Sequence, residues 1–188
     1  MILNKQLFRN YNELYESILR CYQEISVLEA YETMQKQQMD LYKRVCHISN
    51  LVVLLSQKDL ALTIWKISID THPNANTVTK FRKEINTLLM NNGCEDKTVK
   101  REKINKIIVN KLTMMRRQFL AHTDMMRSDS IIKICELKDV LDDICREFNR
   151  VCDVIDDDRV VKISEINIGL QEMTCYKELF SLYHELKM

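Results

Sequence analysis

An all-α bundle of five or six helices is the fold this sequence predicts, and three observations carry the prediction. Only two glycines and one proline occur in 188 residues, whereas turn-dense β-sandwiches and barrels need many more. Apolar residues recur at steps of three and four, the period of a helix with one buried face. The breaks between these ladders fall where helix-ending residues cluster. Hydrophobic residues make up 46% and charged residues 29%, a globular composition. The length suits one domain with a sizeable core, so residues 1–188 are read as a single domain.

The first helix is marked by Leu7, Tyr11, Leu14, Ile18, Tyr22, Ile25 and Leu28 and runs toward Gln38. The next segment, "ISNLVVLLSQKDLALTIWKISI", is apolar on most sides. It predicts a central helix covered all round, anchored by Trp65. "DTHPNANT" breaks the chain: Pro73 disfavours helix at His72, and Asn74, Asn76 and Thr77 are good cap residues. "VTKFRKEINTLL" predicts a short helix ended by Asn91, Asn92 and Gly93. After the loop "CEDKT", a long helix is expected from about Thr98 to about His122. "DMMRSDS" is the next break. Ile134, Leu137, Leu141, Ile144, Phe148, Val151 and Ile155 then form the most regular ladder in the chain, with Val140 widening its stripe. "DDDR" interrupts it. A final segment to Met188, with Ile163, Ile166, Leu170, Met173, Leu179 and Leu182, predicts one or two helices weakened at Gly169.

Net charge is +1, so any attraction to nucleic acid must be local. The seven cysteines (Cys21, Cys46, Cys94, Cys135, Cys145, Cys152, Cys175) form no C-x-x-C pair. They read as reduced core thiols of a cytoplasmic protein. The segment "MILNKQLFRN" lacks an apolar signal region. The longest apolar run, "LVVLL", is far short of the roughly 20 residues that span a bilayer, so no membrane association is expected.

The stretch "MRRQFLAHTD" sets two arginines, a histidine and an aspartate on an apolar ladder. On a wheel of about 100° per residue with His122 at zero, Ile104 lies near ~0°, Met115 near ~20°, Ile108 near ~40°, Phe119 near ~60° and Leu112 near ~80°. His122 borders this seam. Arg116, near ~120°, borders its other side, and Arg117, near ~220°, faces solvent. An imidazole moves protons near neutral pH, and a guanidinium grips phosphate oxygens while staying charged. Together they can cleave RNA without a metal, His122 transferring the proton and Arg116 holding the phosphorane. Asp124 can orient a basic group or the substrate. From Lys97 to Arg117 there are eight basic residues and one acid, Glu102, a local field that attracts phosphates. Within it Lys103, Lys106 and Lys111 are the candidate RNA contacts.

The residues alone leave other readings open. A histidine beside an apolar stripe also serves as a packed core residue. The basic helix can equally face the acidic one, where Glu136, Asp139, Asp142, Asp143, Glu147, Asp153 and Asp156 outnumber Lys133, Lys138, Arg146 and Arg150.

"RRQFLAHTD", late in a long helix of an all-α chain, resembles the signature of HEPN domains, an Arg followed by four to six residues and a His. The fuller pattern R-x-x-x-L-A-H-x-D, with "LLSQKDLALTIWKI" and "NANTVTKFRKEI" upstream, is similar to the abortive-infection (AbiU-type) branch of that family. The resemblance spans Leu51 to Ile155. It implies a four-helix core, a homodimer whose paired Arg–His sets line one cleft, and metal-independent RNA cleavage. The ends left are a 2′,3′-cyclic phosphate and a 5′-hydroxyl. Carried over by position, the family's arginine falls on Arg116 and its histidine on His122, with no cofactor and no metal. The residue after the arginine is commonly Asp, Asn or His in the family. Here it is Arg117, which leaves open which arginine acts. Antitoxin-paired members usually carry a modifiable Tyr two residues after the histidine. Here Asp124 stands there, which argues against control by that modification and leaves an antitoxin protein as one candidate partner. The resemblance thus implies a ribonuclease of a defence or toxin–antitoxin system. Its rivals are a non-catalytic HEPN module that binds RNA or a partner protein, and a plain helical interaction domain with an accidental motif.

His47, His72 and His184 have no metal-ligand spacing and read as structural or surface residues. Asp156, Asp157 and Asp158 read as a solvated helix end rather than a cation site. Tyr11, Tyr15 and Tyr22 offer stacking faces for bases, but at helical spacing they read as packing surface. No Gly-rich phosphate loop is present, which argues against a nucleotide hydrolase.

Overall fold

The computed structural model describes residues 2–37, 39–120 and 132–164, without the side chains of 34, 35, 37, 39–52 and 118–120. These residues form five α-helices and one 3₁₀ turn, with no strand among them. The helices are α1 (Lys5–Gln37), α2 (Met39–Ser68), α3 (Val78–Asn91), α4 (Lys106–Leu120) and α5 (Ile134–Asp153). The 3₁₀ turn spans Glu95–Lys97. None of the described helices is long and apolar enough to cross a membrane.

Helix α1 opens at Asn4, whose Oδ1 accepts the Leu7 N–H at 2.9 Å, leaving one fewer unpaired donor in the first turn. All seven residues of its predicted ladder are buried, and Cys21 joins them. Helix α2 touches each of the other four helices, so it is central as expected. It is not covered all round, because Leu55, Asp59 and Lys66 are exposed. Asp59 and Lys66 need water, and their stripe is the one left outermost. Its inward side holds Leu60, Ile64 and Trp65, with Trp65 only 7% exposed.

Helix α3 starts at Thr77, whose hydroxyl accepts the Lys80 N–H at 3.1 Å. It ends in a Schellman motif: Cys94 N–H bonds Leu89 O at 2.9 Å and Gly93 N–H bonds Met90 O at 3.0 Å. Gly93 takes φ 71°, a region that costs a side-chain-bearing residue strain.

The expected helix start at Thr98 is wrong. Residues 98–105 are an extended strap, and α4 begins eight residues later. The strap's backbone is claimed by other elements. Val99 N–H donates to Asn86 Oδ1 at 2.9 Å, and Val99 O accepts from Asn86 Nδ2 at 2.9 Å and Arg82 Nη1 at 3.1 Å. Glu102 N–H donates to Glu147 Oε2 at 2.9 Å. Asn105 then caps α4, accepting the Ile107 N–H at 3.0 Å. Ile104, assigned above to the helix wheel, packs on the core from the strap.

The ladder predicted for α5 is buried throughout, from Ile134 in its first turn to Ile155 just past its end. Phe148 stacks with Tyr11 (5.6 Å between centroids) and Phe81 (6.2 Å), joining α5 to α1 and α3. Tyr11 and Tyr22 are packing residues, 3% and 5% exposed. Beyond α5, residues 155–164 run back along α1. Asp157 is no solvated helix end: its carboxylate accepts the Leu3 N–H at 2.9 Å and Arg159 Nη2 at 2.8 Å. Tyr11 donates its hydroxyl to Val161 O and accepts the Val161 N–H, both at 2.8 Å. Ile163 is buried; the remainder of the final segment, including Gly169, lies outside the described residues.

The five described cysteines are free thiols. Cys21, Cys145 and Cys152 are buried as expected, and burial pushes the Cys152 thiol up to about 12. Cys94 and Cys135 depart from the core-thiol reading, being half-buried and exposed.

Candidate functional site

The sequence directs attention to α4. Its buried seam holds Ile108, Leu112 and Met115, as the wheel expects. Arg116 is half-buried on the border of that seam, and Arg117 is exposed. The Arg116 guanidinium carbon lies 4.0 Å from the centre of the Trp65 ring on α2. Among the described residues no carboxylate pairs with Arg116. His122 and Asp124 lie outside the described residues, so the distance from the guanidinium to either is not part of this geometry.

The three lysines divide. Lys103, on the strap, and Lys106, in the first turn of α4, are exposed. Lys111 is ion-paired, its Nζ 2.7 Å from Glu136 Oε1. The hydrogen bond from Lys111, with a second from the Lys133 backbone, holds the Glu136 carboxyl below its ordinary range. Glu136 also accepts the Lys133 N–H at 2.9 Å, closing the first turn of α5. Lys111 thus ties α4 to α5, as expected of a basic helix facing an acidic one. The basic run is otherwise outward: Lys97, Lys100, Arg101, Lys103, Lys106 and Arg117 are all exposed. Its first half sits on the 3₁₀ turn and the strap rather than on a helix. The one acid, Glu102, is ion-paired with Arg150 of α5.

A cleft of about 320 Å³ lies between the start of α4 and α5, lined by Asn105, Ile108, Asp139, Asp142, Asp143 and Arg146. Three carboxylates against one guanidinium disfavour a phosphate there. Asp142 is further engaged by the Tyr22 hydroxyl at 2.6 Å, and burial raises the Asp143 carboxyl. The exposed cations lie outside this cleft, on the strap, at Lys106 in the first turn of α4 and at Arg117 near its end.

Two features were not read from the sequence. Trp65 appeared there as a core anchor, not as the partner of Arg116; spacing within one helix carries no information about which ring a second helix sets beside it. The buried pair Arg82–Glu147, at 2.9 Å with side chains 10% and 3% exposed, joins α3 to α5 and holds the strap from both. His72, exposed, accepts the Asn74 N–H at its Nδ1, which is a loop role. Comparison of the chain with protein-family models, with curated proteins and with solved structures finds no match.

Proposed function

We propose that the chain is a HEPN-type, metal-independent endoribonuclease of a defence or toxin–antitoxin system, working as a homodimer on RNA. The observation that carries the reading is Arg116. Its charge is half-buried, set on an indole face and unpaired with any described carboxylate, six residues before His122 on the same predicted helix. A guanidinium that no described carboxylate engages has its donors to offer to an anion.

In the proposed reaction the 2′-oxygen bonds to phosphorus and the 5′-oxygen bond breaks. The 2′-hydroxyl loses its proton to a base and the 5′-oxygen gains one, with His122 serving one of these transfers. Arg116 donates to the equatorial oxygens, where charge builds in the phosphorane. Arg117 supplies a phosphate contact or stands in for Arg116. Asp124 orients a basic group or the substrate. Exposed Lys103 on the strap and Lys106 in the first turn of α4 attract the RNA backbone.

Expression of the wild type is expected to arrest growth, and His122→Ala and Arg116→Ala each to relieve it with little change in melting temperature. Arrest that survives both substitutions rules the assignment out. RNA binding without cleavage in the wild type points instead to a binding module, and loss of fold in His122→Ala to a core histidine. Sedimentation of the purified protein checks the dimer.

A further inference from the structure

We infer that Trp65 is a positioning residue for Arg116, taking the guanidinium by its flat face so that its N–H edge stays open to a phosphodiester. The inference rests on the RNA-directed reading of α4. Three observations on different atoms support it.

The first is the contact itself. A guanidinium carbon 4.0 Å from the ring centre lies within cation–π distance. A guanidinium held by its face keeps its in-plane N–H donors directed away from the ring. The second is the rigidity of the platform. Trp65 is 7% exposed, and Leu60 and Ile64 on the inward side of the same helix are fully buried, so the indole is a packed side chain and not a solvent-borne one. A long flexible side chain on α4 is thereby held by a ring it need not pair with electrically. The third is a cost. The Trp65 Nε1–H is buried and has no hydrogen-bond partner among the described residues, a loss that leucine or phenylalanine would avoid. Packing alone gives no reason to place an indole there; a broad electron-rich face against Arg116 does.

The test measures affinity for a 5′-labelled single-stranded 2′-deoxyoligonucleotide by anisotropy at low salt. This probe has phosphodiesters and no 2′-hydroxyl, so it is bound and not cut. Trp65→Leu is expected to weaken binding about five- to thirty-fold. Trp65→Phe, which keeps a flat ring, should fall between wild type and Trp65→Leu. In a double-mutant cycle, Trp65→Leu added to Arg116→Ala should cause little further loss, because both remove one device. Simple destabilisation by the leucine would weaken binding in either background. Should Trp65→Leu fail to fold, Trp65→Phe carries the same cycle with a smaller effect. Wild-type affinity in Trp65→Leu, additive losses in the double variant, or a wild type that does not bind the strand would each overturn the inference. The result is independent of cleavage: a binding defect in a protein that never cuts RNA removes the nuclease chemistry and leaves the positioning role standing.

Discussion

Arg116 shows how far a helical period can be trusted. The wheel puts it on the border of the α4 seam and Arg117 outside, and the structure finds one half-buried and the other exposed. What the period does not give is the Trp65 ring, because that contact is set by how α2 and α4 cross. Asp157 is the opposite case. Three consecutive aspartates suggest solvent, yet the second accepts the Leu3 N–H and the Arg159 guanidinium, partners that lie 154 and two residues away. These bonds, led by Arg159, hold its carboxyl far below the ordinary carboxylate range. A depressed carboxylate adds stability above its unfolded pKa, near ~4, and that stability is lost as pH falls toward the lower folded value. Asp157→Asn is therefore expected to lower the melting temperature at neutral pH. The wild-type advantage should shrink as pH drops below ~4. A difference between the two proteins that does not vary with pH would show the carboxylate's charge to be irrelevant.

At the scale of elements, the ladders of α1 and α5 were legible because each has one buried face and a regular period. The strap was not. Residues 98–105 contain nothing that forbids a helix, and Val99 and Ile104 suit an apolar stripe. Their extended form is imposed from outside by Asn86, Arg82 and Glu147, which offer the backbone bonds that a helix would otherwise make internally. The buried Arg82–Glu147 pair is the centre of this clamp. Glu147→Ala leaves a buried guanidinium uncompensated and removes the acceptor for Glu102, so a loss of about 3–5 kcal/mol is expected in denaturant unfolding. The double change Arg82→Leu with Glu147→Leu should recover part of it. A loss under ~1 kcal/mol for the single change would mean the pair is solvated in solution. Removing the cap of α4 with Asn105→Ala should cost about 1 kcal/mol by the same measurement.

Over the whole molecule, near-zero net charge conceals a separation. Exposed cations occupy the strap, Lys97 and Lys106 on either side of it, and Arg117 near the end of α4, while carboxylates line the cleft between α4 and α5. Any nucleic-acid affinity should then weaken steeply with salt despite a net charge of +1. Thiol chemistry reports the same packing from the core. Cys135 should react with an aromatic disulfide in the native state, and Cys21, Cys145 and Cys152 only on unfolding, since burial raises each of those three thiols. Rapid native labelling of the three would contradict the bundle as described. The proposed function rests on a single proposed pairing, the guanidinium of residue 116 with the imidazole of residue 122, and RNA end chemistry reads it most directly. Purified wild type incubated with RNA in a chelator should leave 2′,3′-cyclic phosphate and 5′-hydroxyl ends, and His122→Ala should leave the RNA whole. Cleavage that requires Mg²⁺, or that continues at the wild-type rate in His122→Ala, would contradict it.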